Sequence, residues 1–158
     1  MDMLVALYDL PPAEPLVLSL LERGVIIRRA NPWEVSPVRE FITRCFSLGW
    51  ADEASVGFAR TPVSTYVAVQ DGALIGFGSY ECTCRAFFGP TGVEERFRKQ
   101  GVGTALLLRC LEGLAELGYG YGIIGSAGPT AFYENACGAT AIPNSSPGIY
   151  RDLLKRRG

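Results

Sequence analysis

The sequence predicts a single α+β domain built around a largely antiparallel sheet, and three features of the 158-residue chain point there. Two strand-like runs, STYVAVQ at 64–70 and ALIGFGSYECTC at 73–84, flank Asp71-Gly72. That pair favours a tight hairpin because both residues tolerate positive φ. From 102 to 117 apolar residues cover most of a helix, while Arg109, Glu112 and Glu116 form a polar stripe at spacings of three and four. Between hairpin and helix, residues 85–93 read as a strand that carries Gly89, Pro90 and Gly92. Proline cannot donate to a ladder, so the pairing is expected to break there and leave backbone groups open to a ligand.

The remaining elements follow in chain order. MLVALYD at 3–9 reads as a short strand closed by Pro11 and Pro12, and AEPLVLSLLERG at 13–24 as a helix ended by Gly24. VIIRRA at 25–30 is β-branched and bounded by Gly24 and Asn31-Pro32, the signature of a strand. Asn31 caps a helix with Pro32 at its first position, running to about Leu48, and DEASVGFAR at 52–60 is a weaker second helix. After the long helix, which Gly118 ends, YGIIGS at 121–126 reads as a buried strand and PTAFYENAC at 129–137 as a short helix. ATAIP at 139–143 and GIYRDLL at 148–154 are expected to close the sheet. No repeat or low-complexity linker divides the chain. Residues 1–24 are expected to be an extension on the domain formed by 25–158, padding a sheet edge or, alternatively, making a homodimer contact.

Composition narrows the chemistry. A formal net charge of -1 gives no global attraction to nucleic acid or an anionic membrane, and the basic tail of Arg151, Lys155, Arg156 and Arg157 reads as a solvated end. No apolar run reaches membrane-spanning length and no basic stretch precedes the apolar N-terminus, so a cytoplasmic location is expected. Histidine is absent, which excludes Ser-His-Asp and Cys-His triads and histidine-ligated metals. The five cysteines are odd in number and lack framework spacing, so free thiols and no metal site are expected.

The segment RKQGVGTALLL at 98–108 carries the clearest local signal. Glycines before a helix leave amide N–H groups unshielded at the positive end of the macrodipole, an arrangement that binds phosphate through backbone alone. Thr104 adds a hydroxyl, and Arg98 and Lys99 add positive charge. It is neither a Walker loop nor a dinucleotide fingerprint, because no Gly-Lys-Ser/Thr follows and Leu106 stands where a third glycine belongs. Taken alone, a structural turn explains it as well as an anion site does.

The longer segment FFGPTGVEERFRKQGVGTALL, at 87–107, resembles the acetyl-CoA-binding motif of the GNAT superfamily of N-acetyltransferases. Val93 matches the strand residue five positions before the R-x-x-G-x-G/A turn, which Arg98, Gly101 and Gly103 supply. Glu95 stands where many members have proline. The resemblance extends in element order over about residues 25–154 and implies an α/β/α layered acyl-CoA N-acyltransferase fold whose sheet splays at its central strands. It implies that Arg98, Lys99, Gln100, Gly101, Val102, Gly103 and Thr104 hold the pyrophosphate of coenzyme A, and that Val93 pairs with the pantetheine. Ser126 stands seven residues before Tyr133, where many members carry an asparagine that binds the cofactor.

AFYENACGA at 131–139 resembles the family's second motif, in which a tyrosine protonates the departing thiolate; here that is Tyr133. Glu81 is nearest by position to the family's general base, with Asp52 and Glu53 as alternatives from between the first two helices. The acceptor side is expected near Phe46, Trp50, Asp52 and Phe58. The implied activity is direct transfer of an acetyl group from acetyl-CoA, as co-substrate, to the primary amine of a small molecule or peptide, without metal. A non-catalytic acyl-CoA-binding module of the same fold is the alternative.

Overall fold

A computed structural model of the chain describes every residue except Arg156 and Gly158, so that part of the basic tail lies outside the described residues. Seven strands form one sheet: β1 (Met3–Ala6), β2 (Val25–Arg29), β3 (Thr65–Gln70), β4 (Ala73–Tyr80), β5 (Phe87–Val93), β6 (Tyr121–Ile124) and β7 (Thr140–Ala141). Their order is β2-β3-β4-β5-β6-β1-β7. Every neighbouring pair is antiparallel except β5 and β6.

Five helices cover the sheet: α1 (Glu14–Glu22), α2 (Val35–Cys45), α3 (Leu48–Ser55), α4 (Val102–Glu116) and α5 (Thr130–Cys137). Alternation along the strands divides the core. Ala68, Ile75 and Val93 pack with Leu20 of α1 and with Ala105 and Leu106 of α4. Val67 and Phe77 pack instead with Phe41 and Ile42 of α2 and Ala54 of α3. Successive strand residues point to opposite faces, so each strand serves both layers. None of the helices is long and apolar enough to cross a membrane, among the described residues.

The expected elements form, with four differences that have physical causes. The first strand is not padding at an edge. Met3 pairs with both Ile124 of β6 and Ala141 of β7, so β1 lies inside the sheet. The helix α1 then docks against the polar stripe of α4: Arg109 meets Glu14 at 2.5 Å and Glu112 at 3.2 Å. A second difference is the end of α2 at Cys45, where Ser47 starts α3 by accepting the Trp50 N–H at 3.1 Å. That cap starts the second helix at Leu48, so Asp52 and Glu53 lie inside it. The strand expected over 73–84 stops at Tyr80, so Cys82 and Cys84 lie beyond β4, Cys82 buried and Cys84 exposed. Lastly, 148–154 forms no strand, and Leu153 and Leu154 stay exposed.

Candidate active site

The break foreseen at Gly89-Pro90 is a β-bulge. β5 pairs with β4 from Val93↔Gly76 to Thr91↔Gly78, then shifts register and resumes at Phe88↔Tyr80. Gly89 and Pro90 therefore oppose Ser79 alone, and Gly89 takes a φ of 121°. On its other edge β5 pairs with β6 only at Phe87 and Phe88. Beyond that point β5 has no partner on this side, and a cleft of about 690 Å³ opens between its end, α4 and α5.

The ladder phase decides what β5 presents to the cleft. The Glu94 N–H donates to the Ile75 carbonyl at 2.9 Å. Residues in an antiparallel pair alternate between facing the partner and facing away, so Val93 turns its N–H and C=O toward the cleft. Its carbonyl accepts from Arg98 Nε at 2.9 Å, which ties the motif's arginine to the strand end. The N–H is left for a ligand.

The opposite wall is the start of α4. Gly101 caps it in a left-handed conformation, φ 90° and ψ -1°, with no side-chain cap. The first return bond runs from the Ala105 N–H to the Gly101 carbonyl at 3.0 Å. The amides of Val102, Gly103 and Thr104 thus have no helical acceptor and stand at the positive end of a 15-residue helix. A Cβ on Gly103 would lie 3.7 Å from Val93 Cγ2 and 3.9 Å from Phe132 Cζ, so anything longer would project into the cleft.

Arg98, Lys99, Gly101, Gly103, Thr104 and Val93 all line this cleft. Val102 is 1% exposed and contributes its amide alone. Gln100 is exposed and does not line the cleft; its carbonyl accepts from Arg23 at 3.2 Å. Thr91, Leu107 and Phe132 line it without having been singled out from sequence. Phe46 and Trp50, expected on the acceptor side, also line it. The Phe46 ring lies where a Gly92 side chain would be, with Cζ 2.3 Å from the position of a Cβ. A glycine at 92 was the available signal for that close approach.

Tyr133 enters from α5 and is 7% exposed. Phe132 meets its ring edge-on at 5.0 Å and Phe88 at 6.4 Å. The hydroxyl has no hydrogen-bond partner among the described residues, yet no buried side-chain polar atom there lacks one, so the oxygen opens on the cleft. Burial, and then the Cys137 thiol, push its pKa up.

Two expected residues lie elsewhere. Glu81 follows directly after β4 and takes a φ of 59°, which turns its carboxylate into the 81–86 turn, where it accepts the Ala86 N–H at 2.5 Å. It faces a separate cavity with Arg29, Arg60 and Tyr80. Ser126, at φ 45°, donates its N–H to Asp2 at 2.8 Å and lines a smaller cavity with Tyr150. Asp52 is bound by Arg39 at 2.8 Å, while Glu53 faces that smaller cavity.

A sequence profile described as the acetyltransferase (GNAT) family matches residues 26–139. The chain belongs to the GNAT acetyltransferase family. Similar folds occur in a GCN5-related glucosamine N-acetyltransferase region of a fungal multi-domain GH3 β-N-acetylglucosaminidase. That structure has a TM-score of 0.69 and 17% identity, covering 86% of this chain and 19% of that one. A GCN5-related N-acetyltransferase from Sphaerobacter thermophilus superposes with a TM-score of 0.61 and 20% identity, covering 88% of this chain and 47% of that one. The chain therefore spans about a fifth and about half of the lengths of these two structures. At such identities the likeness is one of fold. No curated protein sequence matches. Within the GNAT family match lie β5, the start of α4 and α5, so every wall of the cleft comes from matched segments.

Proposed function

We propose that this GNAT domain is an acetyl-CoA-dependent N-acetyltransferase that moves the acetyl group directly to a primary amine, with Tyr133 as general acid. The observation that carries the reading is the convergence on one cleft of the α4 amides, the outward Val93 N–H and the open Tyr133 hydroxyl. The fit to coenzyme A is chemical. Unpartnered amides beside Arg98 and Lys99 suit a pyrophosphate, an outward strand edge suits an amide-bearing arm, and apolar walls exclude water.

In the transfer a neutral amine attacks the thioester carbonyl. A C–N bond forms, the C–S bond breaks, the amine's extra proton leaves to water, and the thiolate takes a proton from Tyr133, whose phenolate regains one from water. In this reading the Val93 N–H stabilises negative charge on the carbonyl oxygen. A thiol ordinarily has a pKa of about 8.5 and a phenol about 10, so this proton transfer is uphill by about 2 kcal/mol. Burial raises the phenol further, which keeps Tyr133 protonated at neutral pH but calls for donation concerted with C–S cleavage.

One observation favours the second reading, an acyl-CoA-binding module without turnover: among the described residues no carboxylate lines the cleft. Tyr133→Phe separates the two. For an enzyme, this variant should retain coenzyme A binding while kcat for thiol release falls by about 100-fold or more, the usual worth of a general acid. Unchanged kcat with a working acceptor would remove Tyr133 from the chemistry. No thiol release from the wild type with any amine would leave the binding module.

A further inference from the structure

We infer that Glu53 is the docking group for the acceptor, and that the acceptor is a primary alkylamine on a slim, uncharged stem. It arrives as its ammonium and gives one proton to water before the neutral amine attacks. This rests on the acetyltransferase reading above and names the other substrate of the same site.

A second cavity, of about 190 Å³, adjoins the cleft. Three features join them. Trp50 lines both. The bulged strand passes from one to the other, Gly89 and Pro90 lining the small cavity and Thr91 to Val93 the cleft. Phe88, a wall of the small cavity, meets the Tyr133 ring edge-on at 6.4 Å. One wall of the small cavity, Phe88, thus packs against the Tyr133 ring at the point where β5 and β6 part company.

Its charge is one-sided. Among the described residues Glu53 is the only carboxylate lining it, and no lysine or arginine does. The carboxylate is half-buried and accepts from the Thr83 hydroxyl, with no ion pair among the described residues. Its neighbour Asp52 is already matched by Arg39. A partly desolvated carboxylate with one hydroxyl partner gains most from a cation. The Trp50 ring and the Tyr150 phenol complete the lining, and an ammonium group sits favourably against aromatic faces. Burial and the nearby Glu53 charge hold the Tyr150 hydroxyl protonated, so it adds no second anion.

Size and charge then select the acceptor. The volume is below the ~300 Å³ at which pockets begin to enclose a whole small ligand, so it takes the end of a molecule. An amine with a carboxylate or phosphate beside it would bring an anion to a cavity that has Glu53 and, among the described residues, no cation. A free alkylamine and a lysine side chain share the fitting chemistry.

The test is steady-state thiol release by the whole chain with acetyl-CoA and four acceptors: pentylamine, Nα-acetyl-lysine amide, glycine and phosphoethanolamine. The first two should be acetylated, with glycine and phosphoethanolamine at least about tenfold lower in kcat/KM. Acetylation of the lysine amide without pentylamine would assign a lysine side chain, and the reverse a free amine; both fit the inference. Glu53→Gln keeps an oxygen for Thr83, and it should raise the acceptor KM by about tenfold or more while leaving the acetyl-CoA KM unchanged. An unchanged acceptor KM in Glu53→Gln, or glycine or phosphoethanolamine as the better substrate, would overturn it. Coenzyme A stabilisation of the wild type, read separately by melting temperature, shows which reading has failed. If it is present while these outcomes go against Glu53, only the acceptor inference falls; if it is absent, the acetyltransferase reading falls and takes this one with it.

Discussion

Gly101→Ala tests whether the left-handed cap builds the cradle. At φ 90° and ψ -1° an alanine takes a conformation that costs an L-residue about 1–2 kcal/mol. The new Cβ would also lie 3.2 Å from Leu16 Cδ1, but that atom ends a flexible side chain and can give way. Backbone strain should therefore dominate. For a domain of this length, 1 kcal/mol lowers the melting temperature by about 2–4 °C, so the ligand-free variant should melt about 2–8 °C lower. Because strain at this cap also moves the amides of 102–104, the stabilisation by coenzyme A should shrink as well. Gly101→Asn carries the same Cβ but visits the left-handed region more readily, so it should lose less stability than alanine. Scanning calorimetry with and without coenzyme A reads both effects. An alanine variant that melts like the wild type would refute the strain argument, and so would rescue of Gly101→Ala by Leu16→Ala, since that would put the cost in the side-chain contact.

Two further predictions use titrations. Glu34 closes a capping box with Asn31 and pairs with Arg28 at 2.7 Å, and the Arg28 hydrogen bond lowers its pKa from 4.5 to about 2. A depressed carboxylate stabilises the fold above its unfolded pKa and loses that contribution as pH falls through the folded value. Glu34→Gln should thus cost about 1 kcal/mol at neutral pH, and in urea titrations its deficit should vanish between pH 4.5 and about 2. Tyr133 must be protonated to donate, and burial raises its pKa above the ordinary value of about 10. The kcat of the wild type should hold through neutral pH and fall only at alkaline values beyond that, and the alkaline limb should be missing in Tyr133→Phe. A wild-type decline centred near pH 8 would assign the limb to another group.

Features set by a few adjacent residues were legible in the sequence. Asp71-Gly72 makes the β3–β4 turn because both take positive φ, 51° and 76°. Gly89-Pro90 marked the broken strand through proline's missing donor, and the structure has its bulge at those residues. The α4 cradle was visible because the spacing of Arg98, Gly101 and Gly103 is local. Long-range partners were not legible. MLVA would make as good an edge strand as an inner one, and only the pairing of Met3 with Ile124 and Ala141 settles its place. Glu81 follows an alternating strand pattern, but the positive φ just past Tyr80 turns its carboxylate away from the cleft. GIYRDLL has a strand's composition and no free sheet edge that accepts it, since two-residue β7 ends the sheet. Ser47 carried a readable cap signal inside what periodicity treats as one helix, and the helix it starts carries Glu53, which lines the small cavity.

In the proposed function the α4 amides and the end of β5 form a coenzyme A site. Calorimetric titration of coenzyme A into the wild type and Gly103→Glu tests it most directly, because a side chain at 103 longer than a methyl has only the cleft to enter and a carboxylate there opposes the pyrophosphate. One-to-one binding by the wild type and none by Gly103→Glu, with the variant still melting cooperatively, is the predicted result. Equal binding by both proteins would contradict the account and place the phosphates away from Gly103.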